Sequence, residues 1–207
     1  MPDFELENKY SGVPVVGIDE AGRGPWAGPV VAGAVIIQDQ NLDKFLLTTL
    51  NDSKKLTPKK REMLYDKLFE AQSEGKLKIG IGQASAEEID EYNILQATFM
   101  AMNRAVADLE LKPEFALVDG NQVPKGLCCG CQTVVKGDAK CYSISAASII
   151  AKVYRDRLMV DLAQKYPYYA FEKNAGYGTA AHISGLKEHG IVKGVHRLSY
   201  KPIQKFV

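Results

Sequence analysis

From Val30 to Ile37 the chain holds only valine, alanine, glycine and isoleucine, and the preceding Ala27-Gly28-Pro29 adds no charge. Successive residues of a β-strand point to opposite faces, so a strand that is apolar at every position needs cover on both. Residues 27–37 therefore predict a strand with both of its faces covered. A second apolar run, residues 13–18, precedes it across a glycine-rich turn. A third strand is expected at residues 77–84, where Ile79 and Ile81 alternate with glycines. Strands joined by a short turn run antiparallel, so the chain should open as a meander.

The middle of the chain reads as helix alternating with short strands. Thr57-Pro58 is an N-cap followed by proline at the first helical position, leading into a helix over 59–71. Ser85 and Glu88 have capping-box spacing. Asn93 can cap a longer helix with Leu95, Thr98, Met102, Val106 and Leu109 on one face, stopped by Lys112-Pro113. Short apolar runs follow at 115–118 and 133–135, then a helix over 142–162. The tail from Tyr166 reads as loops with a short helix or two. A meander followed by strands alternating with helices indicates an α/β domain with a mixed sheet.

Composition narrows the function classes. The chain has 207 residues, 46% hydrophobic and 25% charged, with a net charge of +1. That is ordinary for a globular domain, and any nucleic-acid partner must be held by a local basic face. No apolar run suits a bilayer and the N-terminus has no signal-peptide pattern, so a cytoplasmic protein without membrane partners is expected. Cys128-Cys129-Gly130-Cys131 lacks the paired spacing of a structural zinc site, and with Cys141 it reads as reduced, incidental thiols. No pair among His182, His189 and His196 has metal-ligand spacing; a surface or hydrogen-bonding role is expected for each.

Asp19 and Glu20 end the first strand, Asp119 ends the fourth, and Asp138 follows the fifth. An isolated aspartate after a strand is usually a turn former. If these strands are neighbours, however, the carboxylates converge at one sheet edge, where they repel one another unless cations or protons intervene. Hard divalent ions take such oxygen ligands, and a pair of them would support phosphodiester hydrolysis. Beside the first pair, Gly22-Arg23-Gly24 lets the backbone approach a ligand closely. A nucleotide phosphate loop is disfavoured, because no Gly-Lys-Ser/Thr ending follows.

These segments carry a specific resemblance. Gly17–Val30, Asn51-Asp52-Ser53-Lys54-Lys55-Leu56, Val118–Asn121, the stretch from Lys136-Gly137-Asp138-Ala139-Lys140 to Arg155-Asp156-Arg157, Asn174–Thr179 and His196–Pro202 resemble, in order, the motifs of bacterial type 2 ribonuclease H. The resemblance implies a ribonuclease H-like mixed five-stranded sheet with helices on both faces. Residues 1–165 would form the catalytic domain and 166–207 a small, C-terminal substrate-contacting segment. It implies a metal-dependent endoribonuclease that cuts the RNA strand of RNA–DNA hybrids, and cuts 5′ of single ribonucleotides in duplex DNA to leave a 3′-hydroxyl and a 5′-phosphate. Asp19, Glu20, Asp119 and Asp138 would be the catalytic carboxylates, holding Mg²⁺ or Mn²⁺, in a two-metal site. Gly22, Arg23 and Gly24 would read the ribose 2′-hydroxyl, and Tyr177 would stack on the following deoxyribose. Lys54, Lys55, Lys140, Lys152 and Arg155 would hold phosphates, although Lys152 and Arg155 could equally pair with Asp156. Lys59, Lys60 and Arg61 read as a solvated helix face, and the small residues 145–151 as a packing surface. A monomer is expected. Trp26, Cys141 and Ala180 depart from the family's usual residues, and an extended C-terminal segment found in some members is expected to be short or missing. A type 3 ribonuclease H, a resolvase-like nuclease of the same fold and a non-catalytic hybrid-binding module are the rival readings.

Overall fold

The computed structural model describes residues 2–10, 12–51 and 53–207, apart from the Lys54 side chain. Strands β1 (Val15–Ala21), β2 (Val30–Ile37) and β3 (Leu77–Ala84) are antiparallel neighbours, as the patterning predicts. β4 (Phe115–Asp119) runs parallel to β1, and β5 (Gly130–Val134) parallel to β4, giving a mixed five-stranded sheet of order β3-β2-β1-β4-β5.

Several boundaries differ from the sequence expectation. Val13 is exposed and lies outside β1, which instead continues through Asp19 and Glu20 to Ala21. Residues 27–29 are not part of β2. The Gly28 amide donates to the Val195 carbonyl and Ala27 bridges to His196, so this stretch is knitted to the C-terminal tail. β5 begins at Gly130 and so includes Cys131, while Val135 lies exposed beyond its end. Cys131 therefore lies in a strand and Cys129 in the loop just before it; both pack against the core, and burial pushes the Cys129 thiol up to about 11.

Helices cover both faces. Helix α1 (Glu5–Asn8) and α2 (Lys44–Thr49) are short. α3 (Pro58–Ser73) starts at Thr57, whose side chain accepts from the Lys60 amide. α4 (Ala86–Ala107) opens with the expected Ser85–Glu88 capping box. It is kinked at Asn93 (φ 66°), whose Oδ1 accepts from the amides of Leu95 and Gln96 and so caps the longer half. It ends at Ala107, before Lys112-Pro113. α5 (Tyr142–Lys165) is the long central helix.

α4 packs on one face with Ile18, Ala32, Ala34 and Val118, while α5 and α3 cover the other around Val35, Leu64, Leu68 and Ile149. Glycines set how closely these layers approach. A Cβ on Gly33 would lie 2.4 Å from the Ala147 carbonyl oxygen of α5, and one on Gly82 would lie 2.2 Å from the Ala101 carbonyl oxygen of α4. Real Cβ atoms do not approach carbonyl oxygens that closely, so these glycines let the helix backbones lie flush on the sheet.

The tail holds α6 (Phe171–Asn174), α7 (Ala180–His189) and short 3₁₀ turns. It shares a core with α5 and with Ala27, through Met159, Tyr169, Phe171, Leu186, Val195 and Ile203. Among the described residues, no helix is long and apolar enough to cross a membrane.

Candidate active site and nucleic-acid interface

The parallel register Ile18↔Val118 places the next residues, Asp19 and Asp119, side by side where β1 and β4 adjoin. Alternation along both strands turns these two side chains towards α5. Asp19 is 6% exposed. Its carboxyl is pushed well above the usual carboxylate range by burial first, then by the charges of Glu20 and Asp119; hydrogen bonds from Ser148 and the Glu20 amide oppose this. Asp119 Oδ1 accepts from the Gly137 amide at 2.7 Å. That bond draws the turn carrying Asp138, itself buried, alongside Asp119.

Among the described residues, no three carboxylates, imidazoles or thiolates gather closely enough to hold an ion as they stand. The donor set is nevertheless all carboxylate, the chemistry of hard divalent cations. Burial first, and then the negative charges of Glu20 and Asp119, raise the proton affinity of Asp19, and a divalent cation beside it would offset that crowding. Asp19, Glu20, Asp119 and Asp138 are thus the residues that fit a metal here.

Asp19 and Glu20 line a cavity of about 600 Å³ together with Gly22, Arg23, Gly24, Ser148, Lys152 and Tyr177. Two buried arginines shape the loop on its rim. Arg197 Nη1 donates to the Arg23 carbonyl at 2.9 Å, its Nη2 donates to the Gly22 carbonyl, and its Nε donates to the Gly28 carbonyl at 3.0 Å. The Tyr200 hydroxyl donates to the Arg23 carbonyl at 2.6 Å. A trans peptide is planar, with its N–H opposed to its C=O. The carbonyls of Gly22 and Arg23 face Arg197, so the amides of Arg23 and Gly24 point the other way. Gly22 has φ +97°, and a Cβ there would lie 2.0 Å from Arg155 Nε, so only glycine suits the position.

Arg155 corrects the sequence expectation. It is 1% exposed and donates to the carbonyls of Ala27, Pro29 and Ala175. Burial, and then the nearby Arg197, lower its pKa to about 10, so it stays charged at neutral pH. Its guanidinium is spent on holding the loop and is not presented to a phosphate; nor does it hydrogen-bond Asp156, which pairs with Lys152 at 2.6 Å. Lys152 keeps its place on the cavity wall. Lys55 and Lys140 are exposed, Lys55 on the turn Ser53–Lys55 and Lys140 just past Asp138. Asp52 and the Lys54 side chain lie outside the described residues. Arg61 is likewise not a solvated face residue: it donates to the carbonyls of Ser53 and Leu56 and so holds that turn. Arg23 lies 3.3 Å from Glu20, and Tyr177 is exposed at the mouth beside Gly24.

The sequence reading missed some contributors. Ser148 sits within a stretch read only as packing, yet it hydrogen-bonds both Asp19 and, at 2.9 Å, Ser53. Arg197 and Tyr200 lay in a motif to which no role was attached. His182 and His196 make hydrogen bonds, one of the two roles expected of them, and they do so fully buried and not at the surface. For Ser148, Arg197, Tyr200 and His196 the only signal was position within a motif, and His182 lay outside every motif; their partners are main-chain groups and side chains that no sequence pattern marks. Trp26 lies flat against Gly178, where a Cβ would meet its ring at 2.1 Å.

Crowded carboxylates at the adjoining ends of parallel strands, in a sheet of this order, place the chain among ribonuclease H-type nucleases, and comparison with known proteins narrows the class. The profile of a family described as Ribonuclease HII matches residues 16–203. A Ribonuclease HII of Wolbachia pipientis subsp. Culex pipiens is 50% identical over 203 residues, 98% of both chains. The crystal structure of ribonuclease H2 from Pyrococcus horikoshii OT3 superposes with a TM-score of 0.74 at 31% identity, covering 93% of this chain and 96% of that one. A Bst ribonuclease HIII shares the fold alone, with a TM-score of 0.76 at 16% identity, covering 99% and 72%. The chain belongs to the ribonuclease HII family. It is a metal-dependent endonuclease that hydrolyses the RNA strand of RNA–DNA hybrids. Membership in this family, rather than the type 3 family, removes the first rival reading.

Proposed function

We propose that this nuclease also recognises the junction from RNA to DNA, cutting 5′ of single ribonucleotides in duplex DNA to leave a 3′-hydroxyl and a 5′-phosphate. The observation that carries this reading is the loop at Gly22 and Arg23: its carbonyls are anchored inward, turning two amides outward within the same cavity as Asp19 and Tyr177. The 2′-hydroxyl distinguishes RNA from DNA at a given site. Main-chain groups of Gly22, Arg23 and Gly24 test for it, and the Tyr177 ring covers the next sugar and leaves no room for a second hydroxyl.

Asp19, Glu20, Asp119 and Asp138 would hold Mg²⁺ or Mn²⁺, which when bound supplies charge neutralisation and a water that ionises near neutral pH. The carboxylates orient the site, with Asp19 placed by Ser148 and the Glu20 amide, and Asp119 by the Gly137 amide. Lys54, Lys55, Lys140 and Lys152 hold phosphates of the duplex, and contacts of that kind position it without reading sequence. Arg155 serves by fastening the loop. Residues 166–207 act as the substrate-contacting segment, joined to residues 1–165. The four unpaired cysteines suit the reducing cytoplasm. One chain supplies every residue named, consistent with a monomer.

The test is cleavage of a DNA duplex carrying one ribonucleotide, with Mg²⁺ or Mn²⁺ and end-group analysis of the products. Cutting of a continuous hybrid alone would remove the junction-reading role from the loop and Tyr177. Binding of both substrates without cleavage would instead favour the hybrid-binding module.

A further inference from the structure

We propose that His182 and His196 are positioning residues that hold Tyr177 through a neutral imidazole relay; this rests on the reading of Tyr177 given above. The relay follows from hydrogen-bond directions. The Val192 amide can only donate, and it lies 2.9 Å from His196 Nδ1, so that nitrogen carries a lone pair. The proton of a neutral His196 is then on Nε2, which lies 3.1 Å from His182 Nε2. His182 accepts there, so its own proton is on Nδ1, which donates to the Tyr177 carbonyl at 3.0 Å. One pair of tautomers satisfies all of these contacts, and a proton added to either ring sets N–H against N–H.

The surroundings favour that neutral state. Both rings are 0% exposed. They are enclosed by the rings of Trp26, Tyr169 and Phe171. The Tyr169 hydroxyl is turned to the Gly190 carbonyl and does not compete. Arg197, next in the chain, directs its guanidinium at Gly22, Arg23 and Gly28. Burial lowers the pKa of both histidines, His196 to about 4 with His182 adding to the effect.

The consequence is geometric. His196 and Arg197 are adjacent: one reaches Tyr177 through His182, the other holds Gly22 and Arg23. A single stretch of backbone thus sets the spacing between the two walls of the proposed sugar-reading site.

Two measurements test the relay. Imidazole ¹⁵N NMR of the intact protein should show His182 as the Nδ1–H tautomer and His196 as the Nε2–H tautomer, neither titrating near pH 6.5. An Nε2–H tautomer for His182, or an ordinary titration, overturns it. In kinetics, His182→Phe should lower kcat/KM on the single-ribonucleotide duplex about tenfold, the worth of one hydrogen bond, with little change on a continuous hybrid. His182→Asn, which keeps a donor near Nδ1, should restore most of it. Equal losses on both substrates, or no rescue, overturn the relay. Tyr177→Ala separates the two ideas: if it leaves the substrate ratio unchanged, the role of Tyr177 is wrong, whereas a shift there without one in His182→Phe sinks the relay alone.

Discussion

A carboxylate in the position of Asp19 is costly in the absence of a cation, because it is buried, flanked by Glu20 and facing Asp119. Its folded pKa lies above the unfolded value of about 3.9. Any stability linked to it is therefore fully present below that pH and is lost as pH rises through the raised folded pKa, so ionising the group is a net cost. Asp19→Asn is accordingly expected to be inactive yet to melt higher than the parent in EDTA, by about 2–4 °C for each 1 kcal/mol relieved; thermal unfolding at pH 7 checks this, and an equal or lower Tm would mean the charge is already compensated. Asp119→Asn should lower kcat by roughly 10²–10³ or more with a melting temperature close to the parent's, since amide oxygen can still accept from Gly137. An active Asp119→Asn would remove it from the chemistry. At the same scale, Arg197 shows how a fully buried charge is tolerated: its donors meet carbonyls of Gly22, Arg23 and Gly28 and the Tyr200 oxygen.

Among the elements, the decisive contact is α5 against β1 and β2. The helix carries Ser148, Lys152 and Arg155, so its height above the sheet sets where they meet Asp19 and the loop. That height depends on glycine in the strands. Gly33→Ala would drive a methyl into the Ala147 carbonyl, which is backbone and cannot rotate away. An overpacking cost of about 1–3 kcal/mol is expected, measured by urea unfolding, with activity falling although no ligand-facing atom has changed. Unaltered stability would show that α5 can lift without consequence.

For the whole molecule, a net charge of +1 gives no general attraction to nucleic acid. Binding must come from a local set of cations, for which Lys152 on the cavity wall and the exposed Lys55 and Lys140 are the proposed contributors. Affinity for a duplex substrate should still fall steeply with salt, by roughly 0.9 in log K per log salt for each phosphate neutralised. A titration series over increasing salt with a catalytically inactive variant measures it, and a flat response would contradict a phosphate-holding face. The tail belongs to the same unit, since it packs on α5 and clasps the loop between Gly176, Val195 and Arg197.

The layered α/β class was legible in the sequence, because an uncharged run such as Val30–Ile37 has one stable solution, burial on both faces. The helix starts were legible as well: Thr57, Ser85 and Asn93 cap through local bonds that span only a few residues. The carboxylates stood out because each falls where an apolar run stops. What only the tertiary structure decided is which side chains work on ligand and which on the protein itself. Arg155 looked like a phosphate holder and proved to be a buried clasp, Arg61 looked solvated and holds a turn, and His182 pairs with His196 across the tail. In each case the partner is a main-chain carbonyl or a residue distant in the chain. Local pattern records how a segment sits against water, but not which distant atoms fill a charged side chain's hydrogen bonds.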